Sequence, residues 1–186
     1  MTTHTLSYEM VGFTKVSIVL ASIFTIIGNA AAAPAPLETD VDKLIIAGVG
    51  LPKASELGLT VEDLKKPAPA VDHLFMRSPA PEKDLAKRFD PQCWGDPKCT
   101  RGDATNCYNY LNGLGGTSCV TSGYIQMCRS GGCGWYGRSL FGGTVSSSCY
   151  NVALGGAWVL TNCQGNYLAG ANAAYGNGNL VVEIHP

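Results

Sequence analysis

All eight cysteines of this 186-residue chain fall between Cys93 and Cys163, and none lies before them. An even number of thiols crowded into a short stretch is the pattern of an oxidised, secreted module, in which bridges supplement a small core. Zinc is the rival reading, but its sites use closely paired cysteines, often with histidine. Here Cys93 and Cys99 are widely spaced, and the only histidine past residue 88 is His185, next to the last residue. Disulfides through Cys93, Cys99, Cys107, Cys119, Cys128, Cys133, Cys149 and Cys163 are expected, with no metal and no other cofactor. Roughly a hundred pairings are open to eight cysteines. Each bridge would contribute about 2–4 kcal/mol, chiefly by restricting the unfolded chain.

The N-terminus suggests how such a module would reach an oxidising compartment. Lys15 precedes an uncharged apolar run, Val16 to Ile27, and then GNAAAAPAP. A basic residue, a short apolar stretch and a small-residue cleavage site make a secretory signal peptide. Residues 1–33 are read as that signal, with cleavage near Ala31–Ala33 and Met10 as an alternative start. The run is too short for a span of about 20 residues, so no stable membrane anchor is expected after cleavage.

Residues 34–88 hold seven prolines, nine acidic and eight basic side chains, one aromatic residue (Phe75) and no cysteine. That composition buries little apolar surface and predicts a loosely structured propeptide. A short helix is predicted at TVEDLKK, with Thr60 as its N-cap and acids in the first turn. The segment ends on Lys87-Arg88, a dibasic pair at the break in composition. Lys65-Lys66 is a second dibasic pair, but Pro67 follows it and makes it a poor processing site. Phe89 is therefore the expected first mature residue.

The expected mature domain, residues 89–186, carries all three tryptophans and is neutral, with Lys98, Arg101, Arg129 and Arg138 against Asp90, Asp96, Asp103 and Glu183. Neutrality gives no support to nucleic-acid or anionic-membrane binding. The stretch ATNCYNYLNGLGG reads as a helix, with Cys107, Tyr110, Leu111 and Leu114 on one stripe and Asp103 placed to cap it. Ser118–Thr121 and Tyr124–Cys128 read as strands around a Ser-Gly turn, and Gly131-Gly132 as the turn of a hairpin into CGWYGRSL. A second helix is predicted from near Ser146, with Cys149, Val152, Ala153, Gly156, Leu160 and Cys163 on one stripe. Gly155-Gly156 inside it costs about 1 kcal/mol per residue relative to alanine, which suggests close packing against a sheet, with a break in the helix as the alternative. QGNYLAGANAAYGNGN reads as a connection, and LVVEI as the closing strand. The fold expected is α+β: a small disulfide-rich sandwich of about four antiparallel strands with two helices on one face.

Catalytic chemistry finds few supports. A Ser/His or Cys/His mechanism needs a histidine held within the fold, and His185 is nearly terminal. A carboxylate-dependent hydrolase needs two positioned acids, and three of the four candidates lie in the loop-like start of the domain. No enzyme is expected. The tripeptide Arg101-Gly-Asp103 is explained by chance and helix capping. Trp135 and Tyr136 are adjacent on a strand, so one should face outward, framed by Arg129 and Arg138 as a candidate binding surface.

NCYNYLNGLGGTSCV, SSSCYNVALGGAWVLTNC and AGANAAYGNGNLVVEI, joined to a signal, a proline-rich propeptide and a KR junction, resemble the small secreted cysteine-rich proteins of filamentous fungi that are killer-toxin-like or effector-like. The resemblance covers residues 89–186. It implies a kexin-type protease acting after Arg88 and an α/β sandwich. It also implies an extracellular role as a toxin or virulence factor against a host or competitor cell-surface target. A cell-wall glycan binder or protease inhibitor is the alternative reading.

Overall fold

The computed structural model describes residues 40–70 and 89–186; the expected signal peptide and the Lys87-Arg88 pair lie outside the described residues. The central element is a six-stranded antiparallel sheet. In chain order its strands are β1 (Ile46–Ala47), β2 (Gln92–Cys93), β5 (Tyr124–Ser130), β6 (Cys133–Ser139), β9 (Gly170–Ala174) and β10 (Asn177–His185). Their spatial order is β1-β5-β6-β10-β9-β2. Two further ladders pair β3 (Cys99–Thr100) with β8 (Tyr167–Leu168), and β4 (Ser118–Thr121) with β7 (Val145–Ser148). The α+β class with an antiparallel sheet is as expected, with more strands than the four foreseen.

Helices α3 (Arg101–Gly113) and α4 (Cys149–Asn162) follow the predicted stripes. Cys107, Tyr110, Leu111 and Leu114 are buried on α3 and its cap. On α4 and its cap, Cys149, Val152, Ala153, Gly156, Leu160 and Cys163 are buried. Thr100, not Asp103, caps α3, its side chain accepting from the Asp103 N–H at 3.1 Å. The Asp103 carboxylate instead accepts from the Gly132 N–H at the hairpin turn, at 3.4 Å. Ser148 caps α4 in the same way through the Asn151 N–H.

The glycine pair does not break α4. A Cβ at Gly155 would stand 2.6 Å from the Ala173 carbonyl oxygen, and one at Gly156 would overlap the Trp135 ring. Close packing explains both residues. Gly131 sits at φ 49°, as the β5–β6 hairpin turn requires.

All eight cysteines are bridged: Cys93–Cys163, Cys99–Cys133, Cys107–Cys128 and Cys119–Cys149. Cys128 and Cys133, which flank the hairpin turn, do not pair with each other. Cys107 ties α3 to β5, and Cys149 ties the start of α4 to β4.

Three expectations fail. The first concerns pairing: Ser118–Thr121 lies against Val145–Ser148 rather than against Tyr124–Cys128. The second is the glycine-rich connection, which holds β8 and β9. Its alanines and glycines lie flush under α4, as the close Gly155–Ala173 approach shows.

The third concerns residues 40–70 of the segment expected to be loosely structured; residues 34–39 and 71–88 lie outside the described residues. Residues 40–70 form α1 (Asp40–Leu44), β1, a 3₁₀ turn (Ser55–Leu57) and α2 (Val61–Leu64). Val41, Ile45, Ala54 and Leu64 are buried in the same core cluster as the cysteine-bearing region. Burying a Val, Ile or Leu side chain contributes about 1.5–3 kcal/mol, so a few well-placed residues overcome a polar composition. The helix predicted at TVEDLKK is present, with Thr60 and Asp63 forming a capping box. Asp42 accepts from the Ser55 hydroxyl at 2.6 Å and its N–H at 3.0 Å, and these bonds hold its carboxyl below the usual range.

Candidate functional site

Antiparallel register decides which side chains share a sheet face. Tyr124 lies opposite Arg138, Gln126 opposite Tyr136, Tyr136 opposite Glu183, and Gly134 opposite His185. These residues therefore line one face. Trp135 belongs to the other face, where it is fully buried against α4. It is no part of an exposed surface; of the adjacent pair, Tyr136 is the one that faces out.

Of the two expected companions of Tyr136, Arg129 meets it and Arg138 lies on the same face. Arg129 donates from Nη1 to the Tyr136 hydroxyl at 3.2 Å, and Arg138, two residues along β6, stands on the same face. The Tyr136 ring lies over Gly134, where a Cβ would be 2.5 Å from its Cε2. It stacks on Tyr124 (centroids 5.1 Å apart, planes 13° apart) and on His185 (4.6 Å, 15°). Tyr124 Oη and His185 Nε2 are 2.6 Å apart, and Trp94 tilts against the imidazole with centroids 5.9 Å apart. Arg138 pairs with the largely buried Glu183 through Nε–Oε1 at 2.5 Å and lies 5.9 Å from the centre of the Phe89 ring.

Electrostatics follow from this crowding. Partial burial, and then the nearby Glu183 charge, push the Tyr124 phenol up to about 12, while Arg138 opposes the shift. Tyr124 thus stays a neutral hydrogen-bonding group at any ordinary pH. Among the described residues no carboxylate pairs with Arg129. Tyr124 and His185 lie edge to edge, their centroids 6.4 Å apart, and both stack on Tyr136; Tyr124 is half exposed. Such a face can recognise a polar partner through hydrogen bonds and the charge of Arg129.

Sequence reasoning passed over His185 and Glu183. The signal was present in LVVEIH: Leu180, Val182 and Ile184 alternate with Val181, Glu183 and His185, and a two-residue period puts the acid and the imidazole on one face. Near-terminal position gave the wrong impression, because β10 is a central strand. The remaining acids take separate roles. Asp103 meets the hairpin turn, while Asp90 and Asp96 are exposed. Arg101 of the Arg-Gly-Asp tripeptide points at the end of α4, its Nε 2.8 Å from the Gly165 carbonyl, Nη2 2.6 Å from that of Cys163, and Nη1 on that of Leu160. Among the described residues no three His, Cys, Asp or Glu side chains cluster as a metal site, and no helix is long and apolar enough to cross a membrane.

Fold and site together define a small cysteine-rich α+β domain braced by four disulfides, with a polar-aromatic sheet face. The chain belongs to the family described as Domain of unknown function (DUF8794), whose model matches residues 89–186. No curated protein and no solved structure matches the chain.

Proposed function

We propose that this is a secreted protein, cut after Arg88 by a kexin-type protease, whose disulfide-rich domain acts as a killer-toxin-like toxin or host-directed effector by binding a cell-surface target. One observation carries the reading: all four bridges join cysteines within residues 93–163. A cut at Lys87-Arg88 would therefore free a domain with its cross-links intact. The family match beginning at Phe89 supports the same boundary. In this reading α3 and α4 share the sheet face that carries Cys128 and Trp135. The opposite face, with Tyr124, Tyr136, Arg129, Arg138 and His185, is left for recognition.

Intact mass of the secreted product, reduced and unreduced, tests the processing: a chain starting at Phe89 that gains eight protons on reduction is expected. A product starting near Pro34 would sink it. Leaf infiltration and addition to fungal and bacterial cultures test the toxicity, and silence at micromolar dose across all of them counts against it. The stacked Tyr124–Tyr136–His185 face also favours a second reading, a glycan-binding or protease-inhibitor module. A glycan array and a protease panel separate the two, with Tyr136→Ala locating the surface.

A further inference from the structure

Residues 40–66 contact the cysteine-rich domain as a ligand contacts a receptor. Ile46 and Ala47 extend the sheet by pairing with Arg129 and Cys128 of β5, a strand that would otherwise be an open edge. The Gly48 N–H donates to the Met127 carbonyl at 2.9 Å. There the two backbones run so close that a Cβ on Gly48 would stand 2.6 Å from the Gln126 oxygen and 2.7 Å from Met127 Cα. No side chain fits at this point. Helix α3 holds the rest of the segment by its main chain: the Tyr110 hydroxyl donates to the Pro52 carbonyl at 2.6 Å, and Asn109 Nδ2 donates to the Leu64 and Lys66 carbonyls at 2.7 Å each. Val41, Ile45 and Leu64 fill the core alongside.

Nothing covalent would hold this segment once the chain is cut, because no cysteine precedes Cys93. We propose that residues 40–66 are a detachable strand-and-helix ligand of the domain. After cleavage at Lys87-Arg88 they stay seated as a separate chain, masking the β5 edge and the outer side of α3 until they dissociate. The inference rests on the processing proposed above, but it concerns the seat rather than the natural cut, and its test does not depend on that cut.

The full chain is secreted with a site-specific protease sequence inserted among residues 71–86, cut after oxidative folding, and passed over a sizing column at micromolar concentration. The 40–66 piece is expected to co-elute with the domain at 1:1 under non-reducing conditions and to separate in denaturant. A labelled synthetic 40–66 peptide should exchange into the cut complex. The same peptide carrying Gly48→Val should bind at least about tenfold more weakly, whereas Val49→Ala, at a residue 94% exposed, should match the unmodified peptide. Because the substitutions sit in the peptide, folding of the domain is not at issue. Separation of the cut pieces without denaturant overturns the proposal, as does a Gly48→Val peptide that enters as readily as the unmodified one. A natural product left uncut would refute the processing and leave this seat standing.

Discussion

The Trp135 ring lies directly against Gly156, at a distance that leaves no room for a Cβ: one built there would overlap Cζ3 and Cη2 and stand 2.9 Å from Cε3. The contact opposes two effects in Gly156→Ala. Helix propensity alone favours alanine by about 1 kcal/mol, whereas forcing a methyl into a filled core costs about 1–3 kcal/mol. Trp135 is fully buried and cannot swing away, so the steric effect should win. A lowered melting temperature by circular dichroism is expected. A raised one would show that the ring shifts freely.

Arg101 supplies three donors, two to the Leu160 and Cys163 carbonyls where α4 ends and one to the Gly165 carbonyl just beyond. Hydrogen bonds from a charged group contribute about 1.5–3 kcal/mol, and a cation at a helix C-terminus adds to this. Arg101→Ala should therefore destabilise the domain by about 2 kcal/mol in a denaturant titration, with Arg101→Lys intermediate because it lacks the planar fork. Loss of cell attachment in Arg101→Ala with unchanged stability would mean that the tripeptide acts as an adhesion motif after all.

Both helices, the hairpin and the closing strand were legible because each carries a local signal: a stripe with a glycine stop, a glycine turn, an apolar alternation. Three further features were not. Strands β2, β3 and β8 are two residues long, below any periodic pattern. Strand β9, GANAA, has the composition of a loop because α4 presses onto it and excludes larger side chains. The folding of residues 40–70 depends on partners far along the chain, Asn109, Tyr110 and Met127, which no window of the segment contains. At the site, strand alternation says that one of Trp135 and Tyr136 faces out, and nearness along the chain places Arg129 and Arg138 around it. Assigning Trp135 to the surface failed because adjacency on a strand says that one residue faces out without saying which.

The four bridges should differ in their resistance to reduction. Cys93 is exposed, whereas the three pairs other than Cys93–Cys163 join residues that are buried at both ends. Access of a thiolate to the sulfur limits exchange. Mild reductant should therefore yield first a species labelled at Cys93 and Cys163 only, identified by alkylation and peptide mapping. Its closed loop is also the longest, with a sequence separation of 70, so its loss should cost about 4 kcal/mol in the chain-entropy account. First labelling at any other pair would contradict the burial pattern.

Tyrosine ionisation gives the domain an alkaline limit. Burial raises the phenols of Tyr108 and Tyr110 above the ordinary value, and Tyr124 is pushed up to about 12. An unfolded tyrosine ionises near pH 10. Each of these groups is harder to deprotonate in the folded chain, so its contribution is complete below about pH 10 and is lost as pH climbs through the folded value. Stability should be flat toward neutrality on this account and fall above about pH 10. Tyr124, half exposed, should contribute less to the fall than the enclosed Tyr108 and Tyr110. A phenolate-absorbance titration should show a late component, and Tyr124→Phe should remove the part of it that titrates at about 12. Glu183→Gln should move that component down, because its charge is the largest cause of the shift after burial. If Tyr124 titrates near pH 10, as an unfolded tyrosine does, the hydrogen-bonded cluster around Tyr136 and His185 is not closed in solution.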